Sequence, residues 1–133
     1  MQPVAWSVGI RSKLGGIDYS LKNQVDMVSV ESTVQVLSPS GILDSTKAEA
    51  IRTQVDSALA DGTKTLLMDL KDTTFVDSSG LGILVSVLKR VRTNRCEMYV
   101  CAINPQVKML FELTSMDRVF TIFENREAFE ASR

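Results

Sequence analysis

The stretch TLLMDL, residues 65–70, limits the possible folds more than any other part of the chain. It is apolar at nearly every position rather than at alternate ones, so as a strand it has no face suited to water. Such a strand is covered on both sides, as in a parallel sheet between helical layers. The flanking sequence supplies the cover. Ala48, Ile51, Val55, Ala58 and Leu59 form a stripe at helical spacing before it, and Leu81, Leu84, Leu88 and Val91 form another after it.

The rest of the chain from Met27 onward follows the same alternation. Val28 and Val30 alternate with Ser29 and Glu31, and Val34, Val36 and Ile42 continue the extended pattern across Ser38-Pro39-Ser40-Gly41. This predicts two short strands joined by a tight turn. Asp44-Ser45-Thr46 opens the first helix, with Thr46 and Glu49 at capping-box spacing, and Asp61-Gly62 closes it. Lys71–Thr74 reads as a connection. Met98 to Ile103 predicts a strand, and Asn104-Pro105 an N-cap followed by proline at the first helical position. Val107, Leu110, Phe111 and Thr114 then share a face. Val119 to Phe123 predicts a last strand, and Arg126 to Ser132 a short helix anchored by Phe129. The order is that of an α/β fold, with right-handed crossovers and a largely parallel sheet. Residues 1–27 show no convincing period and read as an extension, either disordered or loosely packed, with a strand pair as the alternative.

Composition narrows the function. A chain of 133 residues with 44% hydrophobic residues suits one domain with a real core. Its net charge of −1 argues against nucleic-acid binding by bulk charge. No apolar run approaches the ~20 residues of a membrane span, and no secretory-signal pattern opens the chain, so the cytoplasm is the expected location. There is no histidine, which excludes a Ser-His-Asp triad and a His-ligated metal within the chain. Cys96 and Cys101 are spaced to lie on opposite faces of one strand, and read as reduced, largely buried thiols. Neither a metal nor a cofactor is expected.

The motif FVDSSGLG, residues 75–82, lies between TLLMDL and the second helical stripe. It therefore sits at a helix N-terminus, where backbone N–H groups lack partners and the local potential is positive. Asp77 or Ser78 can cap the helix, which begins near Ser78 or Ser79. Gly80 and Gly82 remove side chains from the first turn and permit close approach by another surface. Four roles compete: a cap that only packs, a phosphate cradle, a nucleophile elbow and a phosphoacceptor. The pattern is neither GxGxxG nor GxxxxGK[ST], and the elbow lacks both GxSxG and a histidine base. Ile83 and Val87 lie off the inward stripe, beside Ser79, and are either covered by another element or form an apolar docking patch. The basic run Lys89, Arg90, Arg92, Arg95 falls at the helix C-terminus, where it complements the helix dipole or steers a partner.

The stretches MDLKDTTFVDSSGLGILVSVLKRVR and MYVCAINPQVKMLFELTSMDRVFTIFE, with GILDSTKAEAIRTQV upstream, closely resemble a STAS domain, most of all the bacterial anti-sigma factor antagonists. The resemblance covers roughly residues 28–133. It implies a mostly parallel or mixed sheet of about four to five strands packed with about four helices, and a regulatory role rather than an enzymatic one. In that family the serine directly after the motif aspartate is phosphorylated by a partner that is both a serine kinase and an anti-sigma factor. This implies Ser78 as acceptor, with Ser79 as the neighbour that supports or replaces it. Asp77 would orient the motif, and Asp44 matches the acidic position before the first helix, where it also suits a helix N-cap. Gly80, Gly82, Ile83 and Val87 would complete the docking surface, and a serine phosphatase would reset the switch. A homodimer, a nucleotide-binding loop, and a scaffold serving a transporter or sensor complex stay open beside this.

Overall fold

The computed structural model describes residues 33–133. In chain order they form β1 (Val34–Leu37), β2 (Gly41–Leu43), α1 (Ala48–Ala60), β3 (Thr65–Asp69), β4 (Thr73–Val76), α2 (Ser78–Thr93), β5 (Glu97–Cys101), α3 (Pro105–Leu113), β6 (Ile122–Phe123) and α4 (Arg126–Ala131), with 3-10 turns at Ser45–Lys47 and Met116–Arg118. β1, β3, β5 and β6 form one sheet in that order, and β2 and β4 form a separate pair. Every pairing among them is parallel. The α/β architecture expected from the sequence is present.

β3 is buried along its whole length. Leu66 and Met68 enter the main core with Ile51 and Val55 of α1, Leu84 and Leu88 of α2, and Phe111 of α3. Leu67 points the other way, into a smaller cluster with Cys101 and Phe129. There α4 is held by aromatic packing, with the Phe129 ring centred 5.5 Å from Tyr99 and 5.6 Å from Phe123. The two cysteines divide between the clusters as their spacing implies: Cys101 is buried on the α4 side, and Cys96 packs against the main core. Both are free thiols. No helix among the described residues is long and apolar enough to cross a membrane.

Several local expectations need correction. The strands before α1 do not pair with each other: β1 lies beside β3 and β2 beside β4. Gly41, at φ +76°, turns the chain from one sheet to the other. Residues 73–76 form a strand rather than a connection. No capping box forms at Thr46, because Asp44 takes both the Thr46 N–H and its hydroxyl, and a 3-10 turn precedes α1. The last strand shortens to Ile122–Phe123, since the chain before it coils at Met116–Arg118 to bury Phe120 in the core. The extended stretch expected at 28–32 and the extension 1–27 lie outside the described residues.

Candidate functional site

The small sheet positions the motif. β2 and β4 run in the same direction with Leu43 opposite Val76, so Asp44 and Asp77 emerge next to each other at the same end. The Asp77 N–H donates to the Leu43 carbonyl at 3.4 Å, joining the two exits. Asp77 is extended, and its carboxylate accepts the Gly80 N–H at 2.7 Å. Asp77 is thus the N-cap of α2, and Ser78 is the first helical residue. Ser78 and Ser79 are both exposed.

Gly80 explains how the helix start seats so deeply. A Cβ placed there would lie 2.0 Å from the Leu43 carbonyl oxygen and 3.1 Å from a Val76 methyl. Only a residue without a side chain lets the first turn of α2 close onto the end of β2. Gly82 differs: nothing lies within 4 Å of where its Cβ would be, and it faces outward. Beside Asp77, Asp44 holds the Thr46 N–H at 3.0 Å. The Thr46 hydroxyl, then its N–H, keep the Asp44 carboxyl below the usual carboxylate range, so it carries its charge at neutral pH.

A shallow groove of about 390 Å³ opens from Ser78 along α2. Gly82, Val85 and Lys89 line one side, and Thr114 and Met116, at the end of α3, line the other. Leu113, just before Thr114, is 77% exposed. Exposed Ser78, the outward Gly82 and an apolar surface therefore lie together.

Ile83 and Val87 do not belong to this surface. They are 9% and 4% exposed and pack in the main core with Ile51 and Val55 of α1. The helix is buried on two adjoining faces, one against the sheet and one against α1, and the expected apolar docking patch at these two residues is corrected accordingly. Arg90, from the basic run, pairs with Asp56 of α1 across the neighbouring crevice. Lys89 is the member of the run that reaches the groove.

The geometry also weighs against a phosphate cradle. The Gly80 N–H is already taken by the Asp77 carboxylate, and a second carboxylate, Asp44, follows the neighbouring strand. Two acids at the mouth of the helix offset the attraction its N-terminus offers an anion.

The side chains that hold the outer edge of β4 carry no local sequence signal. Asn104 Nδ2 donates to the carbonyls of Thr73 and Thr74 at 3.2 and 3.0 Å. Gln106 Oε1 accepts the Val76 N–H at 3.0 Å, while its Nε2 donates to the Val76 carbonyl at 3.0 Å. Asn104 also caps α3, accepting the Val107 N–H at 2.9 Å, as Asn104-Pro105 predicted.

Comparison with known proteins gives the family. The sequence profile of the STAS domain matches residues 24–129. An anti-sigma F factor antagonist from Paenibacillus polymyxa is 31% identical over 93 residues, 69% of this chain and 80% of that protein. The crystal structure of an anti-sigma factor antagonist from Mycobacterium paratuberculosis superposes with a TM-score of 0.65 at 27% identity, over 79% of this chain and 90% of that one. The anti-sigma factor antagonist SpoIIAA in its unphosphorylated form shares the fold, with a TM-score of 0.64 at 20% identity over 81% of this chain and 95% of that one. The chain belongs to the STAS domain family.

Proposed function

We propose that this domain is an anti-sigma factor antagonist: a cytoplasmic binding module, not an enzyme, that sequesters an anti-sigma factor and so frees a sigma factor. Its partner docks over the start of α2 and the groove between Gly82, Val85 and Met116. Phosphorylation of Ser78, with Ser79 as second acceptor, by an anti-sigma factor that is also a serine kinase releases the partner, and a serine phosphatase restores binding. The observation that carries this is the exposed serine pair at the mouth of α2, beside Asp77 and Asp44 and at one end of an apolar groove. Relatives named as antagonists support the same reading.

The switch follows from electrostatics. A phosphate on Ser78 adds about −1.5 to −2 charges at neutral pH. Helix N-termini attract anions, but here the cap is itself a carboxylate. Repulsion within the domain is the same free and bound, so affinity falls through the partner group that faces the phosphate: one like-charge pair at ~4 Å across the interface costs on the order of 4 kcal/mol at an effective dielectric of about 20. That is about three decades of affinity, without any change of fold.

The test is a pull-down from the source lysate with wild type, Ser78→Ala, Ser78→Asp and Ser79→Asp in parallel. Mass spectrometry identifies what differs and whether wild type carries phosphate. The expected result is a serine-kinase anti-sigma factor held by wild type and Ser78→Ala but lost from a folded Ser78→Asp. Equal capture by all four variants would leave the domain a scaffold whose Ser78 only begins a helix.

A further inference from the structure

We infer that Gln106 is a positioning residue that holds the serine motif by acting as a substitute for a neighbouring strand; the role given to the motif rests on the function proposed above. β4 has β2 on one edge. On its other edge, Gln106 takes both the N–H and the carbonyl of Val76. A carboxamide is a peptide group carried on a side chain, so it offers the donor and acceptor that an adjacent strand would offer. Val76 is 1% exposed, and a buried backbone group left without a partner is costly. Asn104 extends the same support to Thr73 and Thr74.

The position matters more than the bonds themselves. Val76 directly precedes Asp77, whose carboxylate fixes the Gly80 N–H and with it the first turn carrying Ser78 and Ser79. Gln106 stands in the first turn of α3, and Thr114 and Met116, just past the end of that helix, line the groove that begins at Ser78. The helix is therefore braced against the strand before the motif and against the groove after it. Gln106 sets how the acceptor hydroxyl sits relative to the groove wall without touching a partner.

The experiment measures amide hydrogen exchange by NMR on the full chain, together with phosphorylation by the kinase recovered in the pull-down. In wild type the Val76 amide is protected although it faces away from β2. In Gln106→Met, protection at Val76 and Gly80 falls about tenfold or more, while Leu67 in the central strand keeps its own. Gln106→Glu places a carboxylate oxygen against the Val76 carbonyl. The other oxygen still accepts the Val76 N–H, so protection of that amide is reduced rather than abolished at neutral pH, and it rises toward about pH 4, where the introduced carboxyl takes a proton and becomes a donor again. For phosphoryl transfer to the motif, kcat falls about tenfold with KM nearly unchanged, the pattern of a misplaced acceptor. Equal Val76 exchange in wild type and Gln106→Met overturns the clamp. Lost Val76 protection with Gly80 exchange and kcat both intact overturns the positioning role. If no kinase modifies wild type, the proposed function fails on its own, and the Val76 and Gly80 amides still decide the inference.

Discussion

Gly80 offers a direct test of how the motif is seated. In Gly80→Ala the new methyl carbon would lie 2.0 Å from the Leu43 carbonyl oxygen and 2.8 Å from its carbon, both backbone atoms that no rotamer change can move. Real Cβ atoms essentially never approach another heavy atom within 3.0 Å, so α2 and β2 must part by about 1 Å or more. Overpacking of this kind typically costs about 1–3 kcal/mol. The separation also endangers the bond from the Asp77 N–H to Leu43, a further ~1 kcal/mol. Against this, alanine in place of glycine favours a helix by about 1 kcal/mol. The net loss is about 1–3 kcal/mol, and each kcal/mol lowers Tm by about 4–8 °C in a domain of this size. Gly82→Ala is the matched control, since its methyl enters open space and the helix-propensity gain stands alone. Thermal unfolding of the two variants beside wild type therefore moves in opposite directions. A Gly80→Ala protein as stable as wild type would refute the close approach. Gly82→Ala adds a second reading: a more stable domain that binds its partner more weakly, because the methyl intrudes on the groove.

Four further outcomes concern the cap of α2 and the buried thiol. Asp77→Ala removes the α2 cap and lowers stability by about 1 kcal/mol, measured by urea unfolding. Asp77→Asn keeps most of the cap and loses less stability than Asp77→Ala in the same urea titration. Cys101, fully buried, has its thiol pushed up to about 11, by burial first and by the Asp69 carboxylate second. A native-state thiol assay at pH 8 thus modifies Cys96 and spares Cys101. Because the folded pKa lies above the ordinary value of 9.0, the unfolded chain loses this proton first. The contribution is intact below about pH 9 and is lost as pH rises toward about 11. The urea midpoint accordingly falls less steeply with alkaline pH in Cys101→Ala than in wild type.

The fold was readable where periodicity is strong. TLLMDL demanded cover on two faces and received it, and Asn104-Pro105 marked a helix start that the structure places at Pro105. β4 was not readable, because Thr73-Thr74-Phe75-Val76 is short and opens on polar residues that a connection would also carry. The partnering of β1 and β2 was missed for a related reason. A turn signal says that the chain reverses or bends, but not which sheet each arm then joins, and here Lys47 fastens the bend by donating to the Ser40 carbonyl at 3.0 Å. At the site, Asp77 and the exposed serines were legible from local chemistry. Ile83 and Val87 were not, since the breadth of a helix's buried arc depends on how many layers pack against it. Gln106 had no local signal at all: its partner is a backbone amide 30 residues away.

Division of labour within α2 bears on how a cell keeps related circuits apart. Residues that seat the helix, such as Gly80, Leu84 and Val91, face inward, while Gly82, Lys89 and Thr114 border the groove from exposed positions and Val85 and Met116 are only partly buried against the core. The rim can therefore diverge between paralogues while the serine platform stays the same. Under the function proposed above, copies of this domain in one cell would keep a common on–off chemistry and still be insulated from each other's partners by a few side chains along one wall.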